Sequence, residues 1–141
     1  MPQIAVIAEL IEHLSRQIQG ASYAHDLKPA QWSALRYYAR ARKTARTIRA
    51  FAAVHASSHS AASQIVTGLK RKRLLVSYKS KQDAREQVVE VTPAGARLLR
   101  HDPLKPIGAA LKQLSVSEQR ALLMALQGLL SAAFDKPAKA E

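Results

Sequence analysis

Residues 58–73 combine small, uncharged polar side chains with a run of four basic ones. The segment is SHSAASQIVTGLKRKR, and its first part offers hydroxyl groups, one carboxamide and short methyl groups. A carboxamide such as that of Gln64 can form paired hydrogen bonds with adenine, and methyl groups such as those of Ala61 and Thr67 suit contact with thymine. The basic side chains carry the charge that attracts phosphates. These residue types indicate non-covalent recognition of a nucleic acid.

One helix can place both sets of side chains. The apolar residues recur at helical spacing, so a helix over 59–72 would bury them on one face and expose the polar set on the other. The inward set is Ala62, Ile65, Val66 and Leu69, and the outward set is Ser60, Ala61, Ser63, Gln64 and Thr67. A shorter helix is predicted at 48–55, and a turn at Ala56-Ser57 joins the two. Thr47 and Ser58 are suitable N-caps, so the pattern predicts a helix-turn-helix.

A β-hairpin is predicted directly after this pair of helices. LLVSY at 74–78 and QVVEV at 87–91 are rich in β-branched residues, and the basic loop KSKQDARE separates them. The hairpin would form a wing with Lys79, Lys81 and Arg85 at its tip. An arginine at such a tip can enter a narrow minor groove, where the negative potential of a duplex is strongest.

The rest of the chain is predicted to be helical. Predicted helices cover 3–20 and 29–41. A further helix starts at Pro93 with Thr92 as its cap, and Asp102-Pro103 and Pro106 bend or interrupt it. The last helix starts at Ser115 or Ser117. The first and last helices carry apolar seams outside the helix-turn-helix, so they predict an obligate homodimer. The expected fold class is mainly α with a small β-hairpin wing. We assign one domain to 1–141, with a winged helix-turn-helix DNA-binding lobe at 27–92 and a helical dimerisation region at 1–26 and 93–141.

Positive charge is concentrated in the middle of the chain. The net charge is +12, and residues 28–85 hold 14 of the 22 Lys and Arg residues but only one acid, Asp83. This segment therefore carries +13, whereas 1–27 carries −2 and 86–141 carries +1. A block of one sign favours a polyanion as partner, because an ordinary solvated surface mixes the two signs. Aromatic residues make up only 5% of the chain, which argues against binding of single strands by base stacking.

Residues 27–134 resemble the multiple-antibiotic-resistance regulator (MarR) family of winged-helix repressors. LKPAQWSALRYYAR is similar to the family's second helix, FAAVHASSHSAASQIVTGLKRKRLL to its helix-turn-helix, and SKQDAREQVVEVTPAGARLL to its wing and following helix. The Asp-x-Arg signature of the wing is present as Asp83 and Arg85. The resemblance implies a homodimer with intertwined first and last helices, which leaves DNA when a small aromatic or anionic ligand binds. Lys28 and Arg73 depart from the family pattern, which has a Thr or Ser cap and a Gly at these positions.

We expect a dimeric transcriptional regulator that binds double-stranded DNA sequence-specifically and acts as a repressor at an inverted-repeat operator. We expect DNA contacts from Ser58, His59, Ser60, Ala61, Ser63, Gln64, Thr67, Lys70, Arg71, Lys72, Arg73, Lys79, Lys81, Asp83 and Arg85. Trp32, Tyr37 and Tyr38 are candidates for an effector site between the lobe and the dimerisation helices. No cofactor or metal is expected, because the five histidines lack metal-ligand spacing.

Several features of the sequence also have a simpler interpretation. Residues 70–73 could be an ordinary solvated helix end, and Asp83 and Arg85 a surface ion pair that only shapes the turn, although we expect this pair also to place Arg85. Core packing is the more common role for residues such as Trp32 and Tyr38. Arg73 either adopts a left-handed conformation, at a cost of roughly 1 kcal/mol, or ends the helix differently.

Other classes of protein fit the sequence less well. The chain has no Cys, no Gly-rich phosphate loop and no HExxH or GxSxG motif, so an enzyme is not expected. Its apolar runs are far shorter than the roughly 20 residues of a bilayer span, and its N-terminus lacks a basic region, so a cytoplasmic location is expected. A sequence-tolerant architectural DNA-binding protein is the main alternative, and a winged-helix module that binds only protein is a third.

Overall fold

The structure, a computed structural model, describes residues 3–55 and 57–135. It divides into two units, one ending at Pro103 and one beginning at Leu104. The first unit contains α1 (Ile4–Ala21), α2 (Pro29–Arg40), α3 (Ile48–Val54), α4 (His59–Arg71), β1 (Leu75–Lys79), β2 (Gln87–Val91), α5 (Pro93–Leu98) and short 3-10 helices at Lys43–Ala45 and Leu99–His101. The second contains α6 (Lys105–Leu111) and α7 (Val116–Phe134). The predicted fold class, mainly α with one β-hairpin, is confirmed.

Four predicted caps start their helices as expected. Each side-chain oxygen accepts a hydrogen bond from the backbone nitrogen three residues later, at 3.1–3.2 Å. These caps are Thr47, Ser58, Thr92 and Ser115. At the last of them, Glu118 Oε2 also accepts a hydrogen bond from the Ser115 backbone nitrogen at 2.7 Å, and this bond holds the pKa of the Glu118 carboxyl below its usual value.

The structure differs from the sequence prediction at the first strand and at residues 105–111, besides one-residue shifts of helix ends and the unpredicted 3-10 helices at Lys43–Ala45 and Leu99–His101. The first strand is shifted by one residue and runs from Leu75 to Lys79. Residues 105–111 form a separate helix despite Pro106, because a proline in the first turn of a helix removes no intrahelical hydrogen bond. Ala56 of the predicted turn and the ends of the predicted domain at 1–2 and 136–141 lie outside the described residues.

The core of the first unit lies between α2, α3, α4 and the hairpin. Its fully buried large side chains are Trp32, Tyr38, Phe51, Leu35, Leu69, Val66 and Val89. The Tyr38 hydroxyl donates a 3.0 Å hydrogen bond to the Thr47 carbonyl, which ties α2 to the start of α3. Burial raises the pKa of the Tyr38 hydroxyl far above its usual value, so this hydroxyl remains a donor.

The hairpin is attached to this core at its base. The strands pair antiparallel from Leu75 opposite Val91 to Lys79 opposite Gln87. In addition, the Val89 backbone nitrogen donates a 2.8 Å hydrogen bond to the Arg46 carbonyl. The connector between α2 and α3 therefore satisfies a backbone group of β2, which fixes the base of the wing relative to the two helices.

The helices α1 and α7 expose most of their apolar side chains. Neither helix has a buried residue. The exposed large apolar residues of these helices are Ile4, Val6, Ile7, Leu10, Ile11, Leu14, Val116, Leu122, Leu123, Met124, Leu126, Leu129, Leu130 and Phe134. Apolar surface of this extent normally marks an interaction site. No helix among the described residues is long and apolar enough to cross a membrane.

Gly95 provides a direct test of how tightly α5 packs on the hairpin. A Cβ at this position would lie 2.4 Å from the Leu74 carbonyl oxygen and 2.8 Å from Val91 Cγ1. Because the first of these neighbours is backbone, Gly95→Ala should lower the free energy of unfolding by about 1–3 kcal/mol. Gly20→Ala is the control, since a Cβ there meets nothing within 4 Å and should add up to about 1 kcal/mol of helix stability. Urea denaturation of the two variants measures both changes, and equal effects would contradict this packing.

Candidate nucleic-acid interface

The exposed face of α4 is the face that the sequence predicted. Ala62, Val66 and Leu69 are buried, which turns the opposite side of the helix to solvent. His59, Ser60, Ala61, Gln64 and Thr67 are exposed, whereas Ser63 is half-buried. Ser58 is exposed too, but its hydroxyl already accepts the capping bond from Ala61 N. The structure therefore presents donors, acceptors and methyl groups from the first three turns of the helix.

The four basic residues at the end of α4 are all exposed. Lys72 is the one with a partner, because its Nζ donates to the Asp26 carbonyl and lies 3.4 Å from Asp26 Oδ2. Lys70, Arg71 and Arg73 have no hydrogen bond or ion pair through their side chains within the described part of the chain. Their charges are therefore available to a polyanion.

Arg73 adopts the left-handed conformation, with φ of 58°. This settles the choice left open by the sequence, since the helix ends as it would with Gly and the side chain is accommodated at a cost of roughly 1 kcal/mol. Two bonds hold the corner in place. The Leu74 backbone nitrogen donates to the Leu69 carbonyl at 3.0 Å, and the Thr92 hydroxyl donates to the Arg73 carbonyl at 2.7 Å.

Asp83 shapes the tip of the wing. Its Oδ1 accepts a 3.0 Å hydrogen bond from the Arg85 backbone nitrogen, and its carbonyl accepts one from the Glu86 nitrogen. The Ser80 hydroxyl in turn accepts from the backbone nitrogen of Asp83 at 3.3 Å. The Arg85 guanidinium lies 3.8 Å from Asp83 Oδ1, but its side chain is 94% exposed. Lys79 and Lys81 are exposed on the same wing. The Asp-x-Arg pair thus orders the turn and presents an accessible arginine.

Arg49 is a basic residue that the sequence prediction missed. It is exposed in the first turn of α3, and it lines a cavity of about 190 Å³ together with His59 and Arg85. These three residues are far apart in the sequence, and only the packing of α3, α4 and the wing brings them together. The sole signal in the sequence was membership of the basic block at 28–85.

The three candidate effector residues occupy different environments. Trp32 and Tyr38 lie in the core, where they are 0% and 2% exposed. Tyr37 is half-buried and lines an open cavity of about 420 Å³, together with Ser33, Arg36, Arg40, Ala41 and His55. The Tyr37 hydroxyl donates to the Ala45 carbonyl at 2.7 Å, and burial raises its pKa. This cavity therefore offers aromatic edges and positive charge around a hydroxyl that stays neutral.

Arg36 connects this cavity to the end of the first unit. Its Nε and Nη2 donate to the two oxygens of Asp102, at 2.8 and 2.7 Å, and both side chains are largely buried. A bidentate pair with this little exposure is stronger than an ordinary surface ion pair. No cluster of metal-binding side chains occurs among residues 3–55 and 57–135.

Comparison with known proteins agrees with this geometry. Residues 25–86 match the model of the MarR family. The S. aureus MepR–DNA complex shares 20% sequence identity and a TM-score of 0.69 over 94% of this chain and 99% of that chain. S. aureus MepR in its DNA-binding conformation gives 21% identity and a TM-score of 0.76 over 93% of this chain and 98% of that chain. S. aureus MepR bound to ethidium bromide gives 21% identity and a TM-score of 0.60 over 93% of this chain and 96% of that chain.

At these identities the solved structures show a shared fold. Comparison with curated protein sequences finds no match. The segment that matches the family model contains α2, α3, α4 and β1, and it ends at the tip of the wing. Residues 25–86 are thus similar to the MarR family, and the chain shares the winged-helix fold of S. aureus MepR.

Proposed function

We propose that the chain is a homodimeric repressor that binds an inverted-repeat operator in double-stranded DNA. The observation that carries this proposal is the exposed face of α4, which has uncharged polar side chains at its start and four exposed bases at its end. A helix with this order of residues reads base edges through its first turns and holds phosphates through its last. The S. aureus MepR–DNA complex supports this function, because that protein has the same fold.

The uncharged part of α4 favours sequence reading over architectural binding. A protein held by phosphates alone gains less from Gln64 or Thr67 on its exposed face than from Lys or Arg there, because an uncharged side chain adds a hydrogen bond but no charge attraction. The wing contributes in a different way. In this proposal Arg85, with a 94% exposed side chain, enters a minor groove, where its charge responds to groove width rather than to base identity. Thus α4 recognises bases, and the wing adds electrostatic attraction to the duplex.

The exposed apolar faces of α1 and α7 support the proposed dimer. None of the residues of either helix is buried within one chain. A second copy that covers these faces would remove apolar surface from water, at roughly 25 cal/mol per Å². A two-fold dimer would place its two α4 helices in major grooves about 34 Å apart, which is why the site should be an inverted repeat.

The cavity beside Tyr37 is the proposed effector site. Arg40 lines it and makes no ion pair among the described residues, while the Tyr37 and His55 rings meet edge to face at a centroid distance of 5.8 Å. These groups suit a small aromatic carboxylate, whose ring would contact the two side chains and whose charge would pair with Arg40. Such a ligand releases DNA only if it binds the non-binding conformation more tightly. S. aureus MepR has been solved bound to ethidium bromide, so a protein of the same fold binds a small molecule.

Base reading by α4 is tested with Gln64→Ala. The operator is taken from genomic fragments that the protein retains at moderate salt. The substitution should make the free energy of binding to this operator less favourable by about 1–3 kcal/mol and should change binding to a random duplex little. Arg85→Ala should weaken binding to both duplexes. Gln113→Ala, at an exposed position of the second unit, is the control. All affinities are measured at one salt concentration. An equal loss on both duplexes, or none on the operator, would show that Gln64 reads no base.

Dimerisation is tested by sedimentation velocity at micromolar protein, where the native chain should have twice the mass of one chain. Leu130→Glu places a charge on the apolar face of α7, where the native side chain is 62% exposed, and should shift the protein to monomer or aggregate. Gln127→Glu introduces the same charge at a polar position of the helix and should leave the dimer intact. A well-folded native monomer would contradict the proposed dimer.

The effector site is tested with a screen of phenolic and aryl-acid compounds. A ligand should raise the melting temperature of the native protein and lower its DNA affinity, because it stabilises the conformation that it prefers. Arg40→Gln should abolish both effects. Arg97→Gln, at an exposed position outside this cavity, should keep them. If no compound changes either quantity, the effector part of the proposal is wrong.

A further inference from the structure

A small cleft separates the first turn of α4 from the wing. Its volume is about 190 Å³, and its lining includes Arg49 from α3, His59 from α4, and Arg85 with Glu86 from the wing. Arg49 and His59 are exposed, and neither has a side-chain hydrogen bond or ion pair among the described residues. Basic groups from three separate elements therefore line one opening, and of these only Arg85 has an ion-pair partner, Asp83, among the described residues.

The cleft lies between α4 and the wing, the two segments proposed to contact DNA, and this position indicates which ligand it binds. When a helix occupies a major groove and a wing occupies the adjacent minor groove, the sugar-phosphate strand that separates the grooves must pass between them. We propose that the cleft binds a phosphodiester group of that strand through Arg49 and His59, and that protonation of His59 tightens the contact. This inference rests on the proposed function, because it requires α4 and the wing to lie in neighbouring grooves.

The chemistry of the lining matches a phosphate. The guanidinium of Arg49 can present paired N–H donors to two phosphate oxygens, and an imidazolium at His59 would add a charged donor from α4. Arg85 contributes a further positive charge from the wing. Glu86 is the one acid among the named lining residues. When His59 is neutral, the charged groups of the lining are therefore two guanidinium groups and one carboxylate, which leaves a net positive charge. Protonation of His59 raises the positive potential of the cleft further.

The sign of the pH dependence follows from this arrangement. Histidine side chains change charge between about pH 5 and pH 8. A phosphate in the cleft interacts better with the charged imidazole, so binding of DNA is coupled to proton uptake and strengthens as the pH falls. An additional phosphate contact also releases an additional counterion. The logarithm of affinity should therefore fall more steeply with the logarithm of salt concentration at low pH than at high pH.

The test measures this salt slope for the native protein on a labelled duplex of random sequence, since phosphate contacts do not depend on base identity. At about pH 5.5 the slope should exceed that at about pH 8 by about one unit for each bound protomer, with roughly tenfold tighter binding per protomer at fixed salt. His59→Gln should show the pH 8 behaviour at both values. His13→Gln, at an exposed position of α1, should behave like the native protein.

Arg49 is tested in the same assay. Arg49→Gln should lower the slope by about one unit for each bound protomer at both pH values, and Arg49→Lys should retain it because the charge is kept. Arg120→Gln, in the second unit, makes the same change of charge and should have no such effect. Equal behaviour of Arg49→Gln and Arg120→Gln, or a pH dependence that survives in His59→Gln, would overturn the inference.

Two further results separate this inference from its foundations. If the native protein does not bind duplex DNA at all, the proposed function itself is wrong. If it binds with a slope that is independent of pH, the function stands and the role of His59 is refuted. Inorganic phosphate is added against chloride at constant ionic strength. Inorganic phosphate could weaken DNA binding by the native protein but not by Arg49→Gln, while the salt slope shows none of the predicted changes. That result would mean that the cleft binds a free anion, and it would overturn the proposed contact with the DNA strand.

Discussion

The burial of one face of α4 is the constraint on which the rest of the site depends. Ala62, Val66 and Leu69 are almost completely buried, and α4 packs against both α2 and α3. Rotation of the helix would expose these side chains to water, at a cost of roughly 1.5–3 kcal/mol for each of the two larger ones. The buried side chains of α4 therefore fix the direction in which its polar face points, although they are not part of that face. The Tyr38 hydroxyl bond to the Thr47 carbonyl extends this support to the start of α3.

The distribution of acids complements that constraint. Four ion pairs among the described residues hold bases of the segment 28–85, and three of their acids, Asp26, Glu90 and Asp102, lie outside that segment. The acids are used where a base has a structural position, as in the nearly buried pair of Arg36 with Asp102. The exposed bases at the end of α4 and on the wing are mostly left without such partners. The unpaired bases repel one another, which lowers the stability of the lobe, but together they produce a positive potential that attracts a polyanion.

The sequence was most informative where local chemistry determines structure. The caps Thr47, Ser58 and Thr92 could be predicted because a capping hydroxyl acts on a backbone group three residues away. The burial of α4 could be predicted from its period. Features that depend on distant segments could not. The cleft at Arg49 requires three elements to meet, and the burial of Trp32 but not Tyr37 depends on which face of α2 meets the core. Helix α6 was missed because Pro106 was read as an interruption, whereas it fits the first turn.

The exposed face of α4 also has an evolutionary consequence. Side chains such as Gln64 and Thr67 project from the helix without supporting the core, and substitutions at exposed positions of this type usually change stability by less than about 0.5 kcal/mol. Under the proposed function, the residues that choose the base sequence are thus largely separate from those that maintain the fold and those that hold phosphates. A few substitutions on this face could redirect the protein to a different operator while folding and general affinity for DNA persist. Duplicated copies of such a gene could diverge in target before they diverge in structure.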